Sequence, residues 1–137
     1  MSGDINYYRI PFFIIFFAVS NFKLINMPFL RFHSTETSRL AEVSREMTDR
    51  IQRAVDCPRE TIVLEVVYAD VVQDGNIISG EWPFVEVSWF KRGLEIQDEV
   101  AAIICDCLKK AGYENSDVHF TYLTARNYYE NGKNLGE

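Results

Sequence analysis

The sequence predicts an α+β domain in which a β-α-β unit occurs twice, giving a four-stranded mixed sheet with two helices on one face. A short strand that begins with Pro-Phe occurs at residues 28–32 and again at residues 83–87. Each strand is followed by a helical pattern and then by a return strand. The two units are in register, since Val63 and Val118 each lie 35 residues after the proline of their own unit. A unit of this length fits one strand, one crossover helix and a parallel return strand.

Both helices are predicted from apolar residues that recur at spacings of three and four, the pattern of a helix with one buried face. In the first helix these residues are Leu40, Val43, Met47, Ile51 and Val55. In the second helix they are Val100, Ile103, Ile104, Cys107, Leu108 and Ala111. Gly112 follows directly, in a position where helices commonly end with a residue of positive φ.

The return strands are predicted over residues 61–68, which are β-branched and apolar, and over residues 118–123, where side chains alternate in character. Asp-Gly at 74–75 and Asn-Gly at 131–132 each lie between apolar residues and predict β-hairpins. Such hairpin arms commonly complete the sheet edge of a neighbour. The sheet face opposite the helices should be largely apolar and needs a cover, so we expect self-association.

Residues 1–26 do not fit the repeat, so we expect the domain to span residues 27–137 and residues 1–26 to be an extension. The extension has three interpretations: a dispensable segment from a start codon assigned too early, an added strand or helix packed on the domain, or a signal or anchor. Its apolar run over residues 10–19 is about half as long as the ~20 residues that cross a bilayer as a helix. A membrane partner is therefore not expected.

Composition and charge exclude several other classes of function. The formal net charge of −6 and the lack of a basic stripe argue against nucleic acid as a partner. The chain has three cysteines, Cys57, Cys105 and Cys107, and an odd number cannot all pair. Cys105 and Cys107 stand at positions i and i+2 of a predicted helix, which do not face each other, so the three form a poor disulfide framework. This indicates a reduced, cytoplasmic protein. His33 and His119 have no metal-ligand spacing and no phosphate-binding loop is present, so we expect no cofactor.

Four stretches carry a resemblance to a known family. They are Met-Pro-Phe at 27–29, Cys-Pro at 57–58, Ser-Trp-Phe-Lys-Arg-Gly at 88–93 and Asp-Val-His-Phe-Thr-Tyr at 117–122. Together they resemble the tautomerase superfamily, the group of macrophage migration inhibitory factor and 4-oxalocrotonate tautomerase, from residue 27 to about residue 130. The chain looks most similar to an uncharacterised bacterial branch with a similar Phe-Val-Glu-Val-x-Trp-Phe-x-Arg-Gly stretch.

The resemblance implies a homotrimer with an active site at each subunit boundary, where Pro28 acts as general base or acid. The implied reaction is keto–enol tautomerisation or isomerisation of a small keto acid. An α-amine has a pKa near ~8 that burial lowers, so a prolyl nitrogen can be neutral and basic at pH 7. The role requires a chain that begins at Pro28, because behind Met27 the same nitrogen is a tertiary amide.

The resemblance also implies substrate-binding positions at Trp89, Lys91, His119 and Thr121, with Arg92 as a further cation beside them. Lys91 matches a lysine in the pattern of macrophage migration inhibitory factor. His119 and Thr121 stand where that pattern has tyrosine and asparagine, Trp89 replaces an isoleucine, and Cys57 replaces a second lysine.

A small carboxylate ligand is also expected from the residues themselves. Lys91 and Arg92 directly precede Gly93 and the start of the second predicted helix, and a helix N-terminus favours anions. Strand alternation places Arg31 on the sheet face opposite Pro28. The alternative to an enzyme is a non-enzymatic module of the same fold that binds a ligand or a partner, in which Pro28 only begins a strand.

Overall fold

The computed structural model describes residues 27–78 and 80–136, so the interpretations of residues 1–26 lie outside the described residues. The elements in chain order are β1 (Phe29–His33), α1 (Thr37–Val55), β2 (Val63–Val67), β3 (Val71–Gln73), β4 (Asn76–Ile78), β5 (Phe84–Phe90), α2 (Leu94–Lys110), β6 (Asp117–Leu123), β7 (Tyr129–Glu130) and β8 (Lys133–Asn134). None of the helices in these two ranges is long and apolar enough to cross a membrane.

The predicted α+β fold is confirmed: four strands form one mixed sheet in the order β2-β1-β5-β6. The outer pairs are parallel and the central pair, β1 with β5, is antiparallel. The two units differ in length by one residue. The Pro28 carbonyl accepts a hydrogen bond from the Val63 N–H, whereas the Pro83 carbonyl accepts one from the Asp117 N–H, which is one residue closer along the chain. The equal spacing expected from Val118 is therefore wrong, and the shorter second unit also has the shorter helix, with 17 residues against 19.

The core lies between the sheet and the two helices. Alternate residues of β1 and β5 are fully buried: Leu30, Phe32, Val85, Val87 and Trp89. The helix stripes predicted from spacing pack against them, with Met47 and Ile51 on α1 and Ile104 and Leu108 on α2 at the centre. Burying each large apolar side chain contributes about 1.5–3 kcal/mol, so this layer is the main source of stability.

The sheet face opposite the helices is more polar than expected. Arg31 pairs with Glu65 at 3.1 Å across β1 and β2, and His33 Nε2 lies 3.3 Å from Glu86 Oε1 across β1 and β5. The expectation of a largely apolar second face is therefore wrong. Leu30, Val85, Val87 and Trp89, which suggested it, belong to the face that the helices cover, whereas the open face holds these charged pairs together with Phe29, Phe84 and Phe90. Charges on an open face also discourage uncontrolled aggregation.

Both predicted hairpins are present. β3 pairs with β4 around Asp74 and Gly75, whose φ values are 51° and 79°. β7 pairs with β8 around Asn131 and Gly132, whose φ values are 52° and 80°. Two successive positive φ angles are those of the tight turn that matches strand twist, which Asp-Gly and Asn-Gly favour. We call residues 68–78 the hairpin arm and residues 125–134 the C-terminal arm.

The start of α1 is tied to the end of α2. The side chain of Glu36, the N-cap residue of α1, makes no capping hydrogen bond to the described residues, and the backbone N–H of Glu36 donates to Tyr113 Oη at 2.8 Å. The Arg39 guanidinium stacks 3.6 Å above the Tyr113 ring, and its Nε donates to the carbonyl of Ala111 at 3.0 Å. Gly112 ends α2 with φ of 101°, as predicted, and a Cβ there would lie 2.8 Å from the Arg39 guanidinium.

We predict that Tyr113→Phe lowers the free energy of unfolding by about 1 kcal/mol, because it removes the acceptor of the Glu36 amide and leaves the packing unchanged. Urea denaturation measures the change. Tyr68→Phe is the matched control: its hydroxyl also makes a hydrogen bond, to Thr37, but the residue is 83% exposed. A Tyr113→Phe loss no larger than that of the control would contradict the account.

Four charged side chains link the outer surfaces of α1 and α2. Arg50 lies 3.0 Å from Glu46 and 2.6 Å from Asp106, and Lys110 lies 2.6 Å and 3.7 Å from the same carboxylates. The hydrogen bond from Lys110 lowers the pKa of Glu46, and that from Arg50 lowers the pKa of Asp106. Both carboxylates therefore stabilise the folded state while they are ionised.

The lowered pKa values predict a loss of stability in acid. The contribution is complete above the ordinary carboxyl pKa of ~4 and is lost as pH falls through the lower folded values. Thermal melting of the double variant Glu46→Gln/Asp106→Asn from pH 6 to pH 2.5 should show a smaller fall in Tm than the unchanged protein. Glu42→Gln/Glu99→Gln, on exposed positions of the same helices, is the control. Parallel Tm profiles for all three proteins would exclude this role.

Candidate functional site

Pro28 lies at the entry to β1, where three strands come together. It is fully buried, and its carbonyl accepts the Val63 amide of β2 at 3.2 Å. Phe29 faces Ser88 in the antiparallel pair, so Pro28 and Trp89 occupy the next facing positions. Because side chains alternate along strands, both lie on the helix side of the sheet. The proline is therefore set between the start of β2 and the end of β5.

Trp89 supplies a buried hydrogen-bond donor at this place. Its ring is fully buried, with its centroid 4.9 Å from that of Phe120 and 5.2 Å from the guanidinium carbon of Arg92. Among residues 27–78 and 80–136, the indole Nε1–H has no acceptor. A buried donor without an acceptor costs about 1–3 kcal/mol. An oxygen atom of a ligand that reached it would recover this energy.

Cys57 and Arg92 add a neutral thiol and a cation. Cys57 follows α1 and is 5% exposed, and burial raises the pKa of its thiol, while a hydrogen bond from Thr61 and the charge of Arg92 act in the opposite direction. Burial also lowers the pKa of the Arg92 guanidinium from its ordinary value. At neutral pH the pair is a protonated thiol beside a partly buried guanidinium. We call Pro28, Cys57, Trp89 and Arg92 the Pro28 corner.

The C-terminal arm borders the Pro28 corner. The Tyr128 hydroxyl lies 3.9 Å from the sulfur of Met27, the residue that precedes Pro28. The Tyr128 ring is also 5.8 Å from the ring of Phe90, the last residue of β5. Residues that follow β6 therefore contact the segment through which the chain enters β1. Sequence reasoning missed Tyr128, and the only signal for it was its position beside the predicted Asn-Gly turn.

The sequence-predicted binding residues occupy two sides of the sheet. Lys91 is exposed next to the corner, with its Nζ 5.6 Å from the Tyr122 ring. His119 pairs with Glu86 and lies on the open face, opposite the helices. Thr121 pairs with Ser88 on that same face. Within one subunit, the structure brings Trp89 and Arg92 to Pro28 and leaves His119 and Thr121 on the other side.

Arg31 lies on the open face, paired with Glu65, as strand alternation predicted. Cys105 and Cys107 are free thiols on α2, and Cys57 is also free. In the part of the chain that the structure describes, no group of three or more His, Cys, Asp or Glu side chains could hold a metal ion. The candidate chemistry of the corner is therefore that of a proline nitrogen, an indole N–H, a thiol and a guanidinium.

A cavity of about 420 Å³ lies at the opposite end of the sheet. It is formed by the ends of β1 and β2 and by the hairpin arm. Val67 and Ile78 contribute apolar surface, and the carboxylates of Glu36 and Asp70 lie on its border. Sequence analysis did not find this cavity, because it depends on how the hairpin arm folds back over two strand ends.

Comparisons with known proteins identify the fold. A family model described as a domain of unknown function (DUF1904) matches residues 27–134. A solved structure of a DUF1904 domain from Sebaldella termitidis is 28% identical, with a TM-score of 0.72, and the match covers 79% of this chain and 99% of that one. No curated protein matches this chain in sequence.

Two further solved structures have the tautomerase fold at low sequence identity. Fused 4-OT, described as a wild-type asymmetric trimer, is 11% identical with a TM-score of 0.64, over 78% of this chain and 95% of that one. A macrophage migration inhibitory factor-like protein from Entamoeba histolytica is 17% identical with a TM-score of 0.58, over 79% and 98%. These likenesses confirm the fold expected from the sequence.

Proposed function

We propose, from the premise that this chain belongs to the DUF1904 family and has the tautomerase fold, that it is a proline-based tautomerase or isomerase acting on a small keto acid. The observation that supports this most directly is the Pro28 corner. It sets the proline opposite Trp89, whose indole N–H has no acceptor among the described residues, and near a partly buried guanidinium. These are the donors that a substrate carrying negative charge on oxygen requires.

Each residue of the Pro28 corner has a separate role in the proposed reaction. In ketonisation of an enol, the neutral prolyl amine accepts the hydroxyl proton, and the resulting ammonium returns a proton to the adjacent carbon. The enolate formed in between carries its charge on oxygen. In this proposal Arg92 and the Trp89 N–H stabilise that oxygen or the carboxylate of the substrate. Cys57, kept protonated by burial, adds no competing negative charge.

The proposed base exists only when Pro28 is the first residue. Behind Met27 its nitrogen is an amide, whose lone pair is delocalised and not basic. We therefore propose that residues 1–26 are a dispensable extension of a domain that spans residues 27–137. Removal of residues 1–27 creates the secondary amine. The 137-residue chain should then be inactive.

We also propose that the domain acts as a homotrimer in the cytoplasm. The trimer is supported by the tautomerase fold, by the fused 4-OT described as a trimer, and by two hairpins that carry exposed large apolar side chains. The cytoplasmic location is supported by three cysteines that are all free thiols.

A non-enzymatic ligand-binding module is the second candidate. Two observations favour it. Cys57 stands where the pattern of macrophage migration inhibitory factor has a lysine, and His119 and Thr121 lie on the sheet face away from Pro28. Such a module would use Arg92 and Trp89 to hold a small carboxylate without moving a proton. Both candidates share the binding residues and differ in the role of the prolyl nitrogen.

We predict that protein beginning at Pro28 ketonises phenylenolpyruvate and that the 137-residue chain does not. Arg92→Gln in the shortened protein should lower kcat/KM by about 10- to 100-fold, because it removes a charge that stabilises the enolate. Lys109→Gln, on the exposed end of α2, should leave the rate unchanged. The decay of enol absorbance gives the rates.

Circular dichroism and thermal melting of the shortened protein control for folding. A cooperative transition with unchanged secondary structure shows that the domain folds without residues 1–27. Equal rates for the long and short chains would mean that the prolyl nitrogen is not the base. The binding module would then replace the enzyme.

A further inference from the structure

The side chain of Met27 lies at the end of the sheet, beside the Pro28 corner. The antiparallel register of β1 and β5, continued by two residues, places Met27 opposite Phe90. Because side chains alternate along strands, Met27 and Phe90 share the open face, whereas Pro28 points to the helix side. Met27 is partly buried, so its side chain packs on the domain.

Tyr128 contacts both of these side chains. Its hydroxyl lies 3.9 Å from the Met27 sulfur, and its ring centroid lies 5.8 Å from that of Phe90. A thioether sulfur is only a weak acceptor, so the contact with Met27 is mainly apolar. The Tyr128 backbone is fixed on both sides, since its N–H donates to the Ala125 carbonyl at 3.1 Å and its carbonyl accepts the Leu135 N–H at 2.9 Å. We call the space beside Tyr128 and Phe90 that the Met27 side chain fills the Met27 subsite.

The nitrogen of Pro28 faces the segment that leads into this subsite. In the 137-residue chain it is bonded to two carbons of its own ring and, on its third side, to the carbonyl carbon of Met27. In a chain that begins at Pro28, the amine carries its hydrogen and its lone pair on that third side. A proton that the amine accepts or returns therefore moves where Met27 stood. A substrate of the proposed reaction has to place its reacting carbon there.

We propose that Met27 occupies the substrate position, and that the substrate is a 2-oxo acid with an unbranched apolar side chain about as long as that of methionine. The carbon next to the keto group takes the position of Met27 Cβ, within reach of the prolyl nitrogen. Tyr128 and Phe90 contact the rest of the side chain and determine specificity, while Arg92 binds the carboxylate. This assignment rests on the proposed function and narrows its substrate.

The methionine side chain itself defines this class of substrate. It is unbranched and has three rotatable bonds, so it follows a narrow space between rings. Pyruvate has only a methyl group next to its keto carbon and leaves Tyr128 and Phe90 uncovered, which costs roughly a fourfold loss of affinity for each missing methylene. The 2-oxo acid with the methionine side chain, 4-methylthio-2-oxobutanoate, places the same apolar atoms in the subsite and is the probe of choice.

Substitution of Met27 in the 137-residue chain tests the subsite without requiring catalysis. Met27→Ala removes the atoms that fill the subsite, so 4-methylthio-2-oxobutanoate should bind roughly tenfold or more tighter than it does to the unchanged chain, and also tighter than pyruvate. Met27→Leu keeps an apolar side chain of similar size and should bind the probe like the unchanged chain. Isothermal titration calorimetry measures the dissociation constants, and thermal melting checks that each variant folds.

Tyr128 is tested in the Met27→Ala background. Tyr128→Ala should weaken binding of 4-methylthio-2-oxobutanoate by roughly tenfold and leave that of pyruvate unchanged, because the ring contacts only the longer side chain. Tyr129→Ala is the matched control, since Tyr129 is the next residue and is 58% exposed. If Tyr128→Ala does not fold, the comparison of Met27→Ala with Met27→Leu decides the question by itself.

The outcomes separate this assignment from the proposed enzyme. Equal binding of the probe to Met27→Ala and to the unchanged chain, equal binding of the probe and pyruvate to Met27→Ala, or a Tyr128→Ala loss no larger than that of Tyr129→Ala each overturns the assignment. The nitrogen of Pro28 remains an amide in all these variants, so none of the results depends on a free amine. Binding that depends on side-chain length, together with an inactive Pro28-initiated protein, would keep the subsite and overturn the enzyme. An active Pro28-initiated protein without that dependence would do the reverse.

Discussion

The structure depends on one packing constraint: the central antiparallel pair, β1 and β5, must bury one face beneath both helices. Leu30, Phe32, Val85, Val87 and Trp89 form that face, and all are fully buried. Once these positions are assigned to the core, strand alternation leaves Arg31, His33 and Glu86 to the open face. The polar pairs of that face and the position of the proposed active site both follow from this assignment.

The Pro28 corner is an extension of the same core. The register that pairs Phe29 with Ser88 brings Trp89 opposite Pro28, at the end of the sheet where β5 leads into the Lys91–Gly93 loop. A packed core normally satisfies its polar atoms. Here the indole N–H of a fully buried tryptophan lacks an acceptor among the described residues, close to a guanidinium that is itself partly buried. The binding role proposed for the corner rests on this local departure from the rule.

Sequence patterns were sufficient to predict the elements and the mixed sheet that they form, and insufficient to predict the exact register between the strands. The stripes from Leu40 to Val55 and from Val100 to Leu108 predicted both helices, and the Asp-Gly and Asn-Gly pairs predicted both hairpins, because these signals are local. The one-residue difference between the units and the facing of Pro28 by Trp89 depend on strand register, which is set by contacts between distant residues. Predicting that His119 and Thr121 lie on the sheet face away from Pro28 also required the register of β6 against β5.

The central claim is that Pro28, freed of the residues before it, is a base tuned by its surroundings. The most direct test is the pKa of its amine, measured by NMR titration of Pro28-initiated protein labelled with ¹⁵N-proline. Burial of Pro28 and the nearby Arg92 cation both disfavour the ammonium form, so the account predicts a pKa below the ordinary α-amino value of ~8. A pKa at or above that value would contradict the account and would leave the corner as a binding site only.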